Sequence, residues 1–219
     1  MWLAVYDVST STGGGLVARD TPRGFTLIEL VVVIAIILIL GAMLLPVFEQ
    51  ATKQAEAICC LSNMRNIGYA ALMYADDYGQ QYPPAIVEIT DSICDANCWD
   101  KSLFPYLRSE LIFVCPADET PTPGPSWTCS IPHSYGINLD VAMVGGYAGA
   151  ALRCCQVPRP GRTILFFELE QENSYGWRQS SGNMSQYVAA RHNEGANFVF
   201  CAGNAKWIRL ELTDDLWEP

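Results

Sequence analysis

The chain has 219 residues, nine of them cysteines, and a formal net charge of −10. Its length suffices for one globular domain with a hydrophobic core and leaves room for further segments. Because 23 acidic residues outnumber 13 basic ones and no dense basic run occurs, the composition excludes a surface built to neutralise nucleic-acid phosphates, and we expect no direct nucleic-acid partner.

Residues 1–24 are weakly patterned, with a Ser-, Thr- and Gly-rich run at 9–15 that is typical of a flexible segment. We expect them to be a leader that the mature protein lacks, although a start codon assigned too far upstream explains their length equally well. Two basic residues, Arg19 and Arg23, lie just before an apolar run. The positive-inside rule therefore places the N-terminus in the cytoplasm and the chain after Phe48 on the outer side of a membrane.

Residues 25–48 predict a membrane-spanning helix, since Glu29 is their only charged residue. As a helix they would reach about 36 Å, enough to cross a hydrocarbon core of about 30 Å. The alternative is a buried helix of a soluble core, but the uncharged run from Leu30 to Leu45 has no polar face to show water. A secretory signal fits badly, because its apolar region is shorter.

Glu29 is the unusual residue of this helix, since an ionised carboxylate inside lipid is costly unless it is paired or protonated. No Lys, Arg or His occurs between Gly24 and Lys53, so we expect no compensating group in its own helix. Cleavage after Gly24 would give Phe25 a free α-amine, which a neighbouring subunit could bring to Glu29. The position of this acid therefore predicts association with a second copy of the chain.

The segment Arg-Gly-Phe-Thr-Leu-Ile-Glu-Leu at 23–30 resembles the prepilin processing site of type IV pilins and type II secretion pseudopilins. The resemblance implies that a prepilin peptidase cuts between Gly24 and Phe25 and methylates the new N-terminus. It also implies that Glu29 guides subunit assembly and that Pro46 loosens or kinks the helix.

Beyond the apolar run, small and apolar residues continue at a spacing of three or four, which predicts that the helix continues. Gly79 and the pair Pro83-Pro84 then end it near Tyr78. We therefore divide the chain into a leader (1–24), a long helix (25–78, of which 25–48 spans the membrane) and a globular domain (79–219). The stripe comprises Ala51, Ala55, Ile58, Leu61, Met64, Gly68, Ala71 and Ala75.

Residues 80–135 combine eight prolines with four cysteines, which predicts a long loop region in which 111–114 is the most strand-like piece. Strand patterns are clearer at 163–167, 196–201 and 205–210, and Gly203-Asn204 between the last two is a favourable two-residue hairpin turn. The predicted fold is α+β and pilin-like: a long N-terminal helix packed on an antiparallel sheet of three or four strands.

The predicted topology places every cysteine outside the cytoplasm, where disulfides are expected. The odd number leaves at least one cysteine out, and spacing does not settle the connectivity. Adjacent Cys59 and Cys60 point about 100° apart on a helix, so we expect them to bond to different partners rather than to each other, with a buried free thiol as the alternative. A zinc site using His133 and nearby cysteines is the alternative, but its spacing fits no standard module. The candidate disulfide cysteines are Cys94, Cys98, Cys115, Cys129, Cys154 and Cys155.

The pieces at 72–76, 113–118, 134–138 and 191–197 together resemble a large bacterial group of prepilin-type proteins similar to the major pseudopilin of type II secretion. That group often has Asp-Gly ten residues after a His, but here Ala202-Gly203 follows His192. Pseudopilins of this kind often bind calcium, which implies candidate ligands at Asp118, Asn138 and Asp140. The alternative is that these residues cap turns.

Neither of the two histidines neighbours a nucleophile motif, and we expect no enzymatic activity and no required cofactor, with a structural calcium ion as an optional addition. The predicted function is that of a structural subunit of a type IV pilus-like or type II secretion filament. It implies a bacterial inner-membrane precursor with a periplasmic or extracellular domain, and as partners further copies, sibling pilins or pseudopilins, the prepilin peptidase and an inner-membrane assembly platform. The alternative is an uncleaved, singly anchored binding or enzymatic domain, and the kind of filament stays open.

Overall fold

The computed structural model describes residues 25–85, 98–121, 131–144, 150–170, 176–177 and 187–210. The leader and three predicted site residues, Gly24, Cys94 and Cys129, lie outside this part. The chain divides into two compact units, residues 1–46 and 47–219, which are described separately below.

The first described element is helix α1 (Leu27–Asp77), which includes Pro46. In the first unit its apolar side chains are exposed. An 18-residue window of α1 has a mean hydropathy of 3.2, so the helix is long and apolar enough to cross a membrane. The predicted long apolar helix is confirmed, and membrane anchoring is the role such a helix suggests.

Helix α1 ends where the sequence predicts, and its end has the left-handed glycine and the six-to-one hydrogen bond of a Schellman motif. Gly79 adopts the left-handed conformation with φ 65°. The Gln80 N–H donates to the Ala75 carbonyl over 2.7 Å, and the Tyr78 N–H donates to the Tyr74 carbonyl over 2.9 Å. A glycine suits this position since it has no Cβ to clash at positive φ.

The second unit contains the rest of the described elements. Its helices are α2 (Trp99–Leu107) and α3 (Leu139–Ala142), with 3-10 turns at Glu110–Phe113 and Cys154–Gln156. Its strands are β1 (Tyr135–Asn138), β2 (Ile164–Glu168), β3 (Gly176–Trp177), β4 (Gly195–Phe200) and β5 (Ala205–Arg209).

The five strands form one sheet in the order β3-β1-β2-β4-β5. The pairs β1–β2, β2–β4 and β4–β5 are antiparallel, which agrees with the predicted antiparallel sheet, and β3 adds a parallel edge beside β1. The α+β, pilin-like layout is therefore confirmed, while strand β1 was not predicted.

Two local predictions in this unit are wrong. Residues 111–114 form no strand, because most of them lie in the 3-10 turn that buries Phe113 and exposes Leu111; a short apolar run does not by itself distinguish the two conformations. The turn between β4 and β5 is also longer than the predicted two residues. The Phe200 N–H donates to the Asn204 carbonyl and the Gly203 N–H donates to the Phe200 carbonyl, so that three residues, 201–203, lie between the paired Phe200 and Asn204. Gly203, at φ 83°, closes it in the left-handed conformation usual for such loops.

The main core of the second unit lies between α1 and the sheet, where Met64, Ile67 and Ala71 cluster with Phe166 and Val199. A register shift between Ile164 and Phe166 interrupts the alternation of β2, so that both Leu165 and Phe166 join this core. A smaller cluster that includes Ile164, Phe167 and Phe198 covers the opposite face of the sheet. Residues on the inner face of β2 and β4 are therefore buried beneath α1.

Candidate functional site

The first turn of α1 is closed by a reciprocal pair of side chains, Thr26 and Glu29. The Thr26 backbone N–H and hydroxyl both donate to Glu29 Oε2, over 2.8 and 2.7 Å, and the Glu29 N–H donates to the Thr26 hydroxyl over 3.3 Å. This is a capping box, which satisfies N–H groups that a helix start leaves unpaired.

The sequence analysis looked only for a basic partner of Glu29 in the same helix, and so it did not name Thr26, whose neutral groups donate to the carboxylate. The signal was the Thr-x-x-Glu spacing at 26–29, which is itself a capping-box pattern. The second carboxylate oxygen, Oε1, has no partner among the described residues. The acid is thus held at the helix start with one oxygen free to accept a further hydrogen bond.

A second set of polar side chains lies deep inside the second unit. Cys60, Cys115, Glu168 and His192 are all buried, and one ligand-type atom from each lies within 4.8 Å of the other three. We call these four residues the buried cluster. Sequence analysis missed it, although Cys115 was singled out as a disulfide candidate.

Four different segments bring these side chains together. Cys60 lies on the same stripe of α1 as Met64 and Ile67, one and two turns on, so it faces the sheet. Glu168 is the last residue of β2 and pairs with Tyr135 of β1.

The other two members come from turns. The Cys115 N–H donates to the Ser134 hydroxyl over 3.0 Å, which fixes the chain just after the 3-10 turn. His192 opens a two-residue hairpin turn whose central residues, Asn193 and Glu194, have φ of 51° and 60°. Its carbonyl accepts from Trp207 Nε1 over 2.7 Å, so the backbone that carries the imidazole is held from β5.

The polar atoms of the cluster converge on one point. The Cys60 thiol donates to Glu168 Oε1 over 2.6 Å, and His192 Nε2 lies 2.9 Å from the same oxygen. The same Nε2 lies 3.3 Å from the Cys115 sulfur. One ring nitrogen therefore faces both a sulfur and a carboxylate oxygen.

This arrangement shifts the acidities of its members. The neighbouring Cys60 thiol, reinforced by the hydrogen bond to His192, lowers the pKa of Cys115 to about 6. The neighbouring Cys115 and burial raise the pKa of Cys60. Burial acts to lower the pKa of His192, but its hydrogen bonds to Cys115 and Glu168 outweigh this and raise it to about 9. A thiolate beside an imidazolium, with the carboxylate close by, is the state that these shifts favour.

Surrounding groups orient the cluster. Asn197 donates to Glu168 twice, from its backbone N–H to Oε2 over 3.0 Å and from its side-chain amide to Oε1 over 3.2 Å. The Tyr135 hydroxyl lies 3.3 Å from the Cys60 sulfur. These contacts restrict the carboxylate and the thiol to one orientation each.

The geometry of the cluster differs from that of a cysteine-based catalytic triad. A triad uses both ring nitrogens of its histidine, one towards the nucleophile and the other towards the carboxylate. Here the Cys115 sulfur and the Glu168 carboxylate both face Nε2, and all four side chains are buried. Two sulfurs, an imidazole and a carboxylate are, however, donors that bind transition metals.

The predicted calcium ligands make protein contacts. Asn138 caps α3 by accepting from the Asp140 N–H over 3.0 Å, and its amide donates to the Ile164 carbonyl over 2.9 Å. Asp118 forms an ion pair with Arg191 at 3.0 Å. The contacts of Asn138 are those of a turn-capping residue, the alternative interpretation, and calcium binding at these positions stays a prediction.

Three of the candidate disulfide cysteines, Cys115, Cys154 and Cys155, carry free thiols in the structure. The Cys115 sulfur faces Cys60 and His192, neither of which was expected as its neighbour. Disulfide formation by the candidate cysteines stays a prediction. Cys98 is buried. Cys59 is exposed and Cys60 is buried, so the two adjacent side chains on α1 have different surroundings.

His133, which the sequence analysis considered for a zinc site, makes contacts with described residues. Its Nδ1 lies 2.8 Å from the Ile131 carbonyl, and its ring packs edge-on against Trp99. The metal-type neighbours of Cys115 in the described part of the chain are those of the buried cluster instead.

The part of α1 in the first unit is an apolar, exposed helix that starts in a Thr-x-x-Glu capping box, and we call it the stem. Pilin-like proteins combine such a stem with an antiparallel-sheet domain. A family model described as "Prokaryotic N-terminal methylation motif" matches residues 20–45. The chain thus carries the prepilin-type motif of pilins and pseudopilins, which confirms the resemblance over these residues. Neither the curated proteins nor the solved structures include a significant match to this chain.

Proposed function

We propose that this protein is a structural subunit of a filament of the type IV pilus or type II secretion pseudopilus kind. The supporting observation is the match to the methylation motif at 20–45, placed at the start of a helix whose side chains are apolar and exposed. A prepilin peptidase cleaves the precursor after Gly24 and methylates Phe25. The stem then waits in the bacterial inner membrane, with the domain on the outer side because Arg19 and Arg23 stay in the cytoplasm.

Assembly transfers the stem from lipid into a bundle of sister stems. The exposed Leu, Ile and Val side chains between Leu27 and Leu45 gain little hydrophobic free energy in this step, because lipid is as apolar as they are. Van der Waals packing between stems is the main attraction. A polar pair that forms only at the correct stagger then supplies the register.

Glu29 is the acid of that pair and the α-amine of Phe25 on a neighbouring subunit is the base. The capping box occupies only Oε2, and cleavage after Gly24 leaves Thr26 and the box in place. Oε1 is then the acceptor for the neighbour's amine. The capping box and the intersubunit pair therefore coexist on one carboxylate.

The test separates the charge of Glu29 from its capping role. Glu29→Gln keeps a side chain that can close a capping box but removes the charge, whereas Thr26→Val keeps the charge and removes the side-chain cap. We expect sheared filaments to be lost in Glu29→Gln and retained in Thr26→Val, with both precursors inserted in the membrane. Mass spectrometry of the wild-type subunit should find methylated Phe25 as the first residue.

An unmethylated N-terminus upstream of Phe25 on a monomeric, membrane-bound product would contradict the filament. That result would favour the alternative, an uncleaved anchored binding or enzymatic domain. Normal filaments from Glu29→Gln cells would leave the family assignment standing but refute the role of the charge.

A further inference from the structure

We propose that Cys60, Cys115, Glu168 and His192 bind one zinc ion, which fastens the second part of α1 to the sheet. The four side chains come from α1, from the segment after a 3-10 turn, from the end of β2 and from the turn before β4. A single ion would join all four. The site lies within the second unit and does not depend on filament formation.

The distances fit a tetrahedral ion after small adjustments. Zinc bonds of about 2.0 Å to nitrogen or oxygen and about 2.3 Å to sulfur place neighbouring ligand atoms about 3.3–3.8 Å apart. The cluster atoms lie within 4.8 Å of one another, and the pairs in contact lie 2.6 to 3.3 Å apart. Movements of about 1 Å at the side-chain ends bring both extremes into this range.

The donor types select the ion. Calcium and magnesium prefer sets of oxygen atoms, whereas two thiolates with an imidazole and a carboxylate suit zinc. Four protein ligands complete a tetrahedron, and all four side chains are buried. A closed, buried site of this kind is structural rather than catalytic.

The charge balance of the filled site suits a divalent cation. With zinc bound, Cys60 and Cys115 would both be thiolates, and together with the Glu168 carboxylate they would carry three negative charges that a protein interior does not tolerate without compensation. A divalent cation offsets two of them, and the two Asn197 donors offset part of the third. The Cys115 sulfur and a Glu168 carboxylate oxygen both lie close to His192 Nε2. A metal ion bound to all three atoms would hold them close together in this way.

The surrounding contacts are those of an outer ligand shell, which fixes the orientation of metal-binding side chains. Asn197 holds the Glu168 carboxylate, and Tyr135 approaches the Cys60 sulfur. Trp207 holds the backbone of His192. The competing states are a Cys60–Cys115 disulfide and a metal-free hydrogen-bonded network.

The experiment measures metal content in the full chain, purified in detergent with a tag that contains no histidine. Elemental analysis should find about one zinc per chain. Cys60→Ser should lose it, while the matched control Cys59→Ser, a change at the neighbouring exposed residue, should keep it. Zinc X-ray absorption should show two sulfur ligands at about 2.3 Å.

Cobalt gives a second readout that does not require the variant to fold. Wild-type protein stripped by a chelator and titrated with Co²⁺ should show the intense visible bands of a tetrahedral ion and a thiolate-to-cobalt charge-transfer band. Asn197→Ala should weaken Co²⁺ binding by about 10- to 100-fold.

Three results would overturn the proposal. The first is wild-type protein without zinc that also fails to develop the thiolate–cobalt band. The second is equal zinc in wild type and Cys60→Ser, which would show adventitious binding. The third is a Cys60–Cys115 disulfide in non-reduced peptide maps of the native protein.

Discussion

Glu29 and Glu168 are two acids that the fold stabilises in different ways. Glu29 is held by the residue three positions before it, so its capping partner is readable from local spacing. Glu168 accepts from Asn197 and lies beside Cys60 and His192, residues far from it in the chain. A local pattern therefore reveals the surroundings of the first acid but not those of the second.

A buried hydroxyl provides a prediction at the same scale. The Tyr82 hydroxyl donates to the Cys201 carbonyl over 2.9 Å inside the core. Tyr82→Phe leaves that carbonyl unpaired and should lower the free energy of unfolding by about 1–3 kcal/mol. Urea denaturation in detergent, followed by tryptophan fluorescence, measures this.

Tyr106→Phe is the matched control, because the Tyr106 hydroxyl bonds to Asp77 at an exposed position, where water replaces the lost partner. We expect its effect to stay below about 0.5 kcal/mol. An equal loss of unfolding free energy in the two variants would show that burial does not determine how much the Tyr82 hydrogen bond contributes to stability.

At the scale of elements, α1 and the β4–β5 hairpin approach each other closely at Gly68. A Cβ there would lie 2.7 Å from Val199 Cγ1 and 2.9 Å from the Gly203 carbonyl oxygen. On the other side of this contact, a Cβ on Gly203 would lie 2.5 Å from Leu72 Cδ1. The spacing of small residues along α1 predicted a face that packs closely on another element. It did not predict which part of the sheet contacts that face.

Gly68→Ala tests this contact. Alanine favours the helix by about 1 kcal/mol, but overpacking costs about 1–3 kcal/mol, and a backbone oxygen yields less than a flexible side chain. We expect a net loss of stability in urea denaturation. Gly161→Ala, where a Cβ meets nothing within 4 Å, should change it by less than about 0.5 kcal/mol; a gain for Gly68→Ala would show that helix propensity outweighs the contact.

At the scale of the whole molecule, the second unit is joined through its buried cluster as well as through its apolar core. If zinc holds that cluster, its binding free energy adds to the stability of the fold. At free zinc about 100 times the dissociation constant, this contribution is about 2.7 kcal/mol.

Removing the metal should therefore lower the melting temperature of wild-type protein by about 5–10 °C. The same chelator should leave Cys60→Ser unchanged, and Cys59→Ser should respond like wild type. Differential scanning fluorimetry in detergent makes the comparison, and a chelator effect of equal size in all three proteins would contradict a specific site.

The apolar stem, its processing motif and its end at Gly79 were all predictable because each depends on neighbours within a few residues. Hydrophobicity, helical spacing and a left-handed glycine act along continuous chain, and three of the four antiparallel strands were recognisable for the same reason. Strand β1 was not, since its buried run is short and its pairing with β2 is long-range.

Other features depend on residues that meet only after the chain has folded. The bulge in β2 turns Leu165 and Phe166 to the same core. The sequence of the strand has no pattern that predicts this bulge. The buried cluster assembles Cys60, Cys115, Glu168 and His192 from four separated segments with no motif spacing between them. Folding selects such contacts by shape and burial, which are properties of the packed chain and not of any one stretch of it.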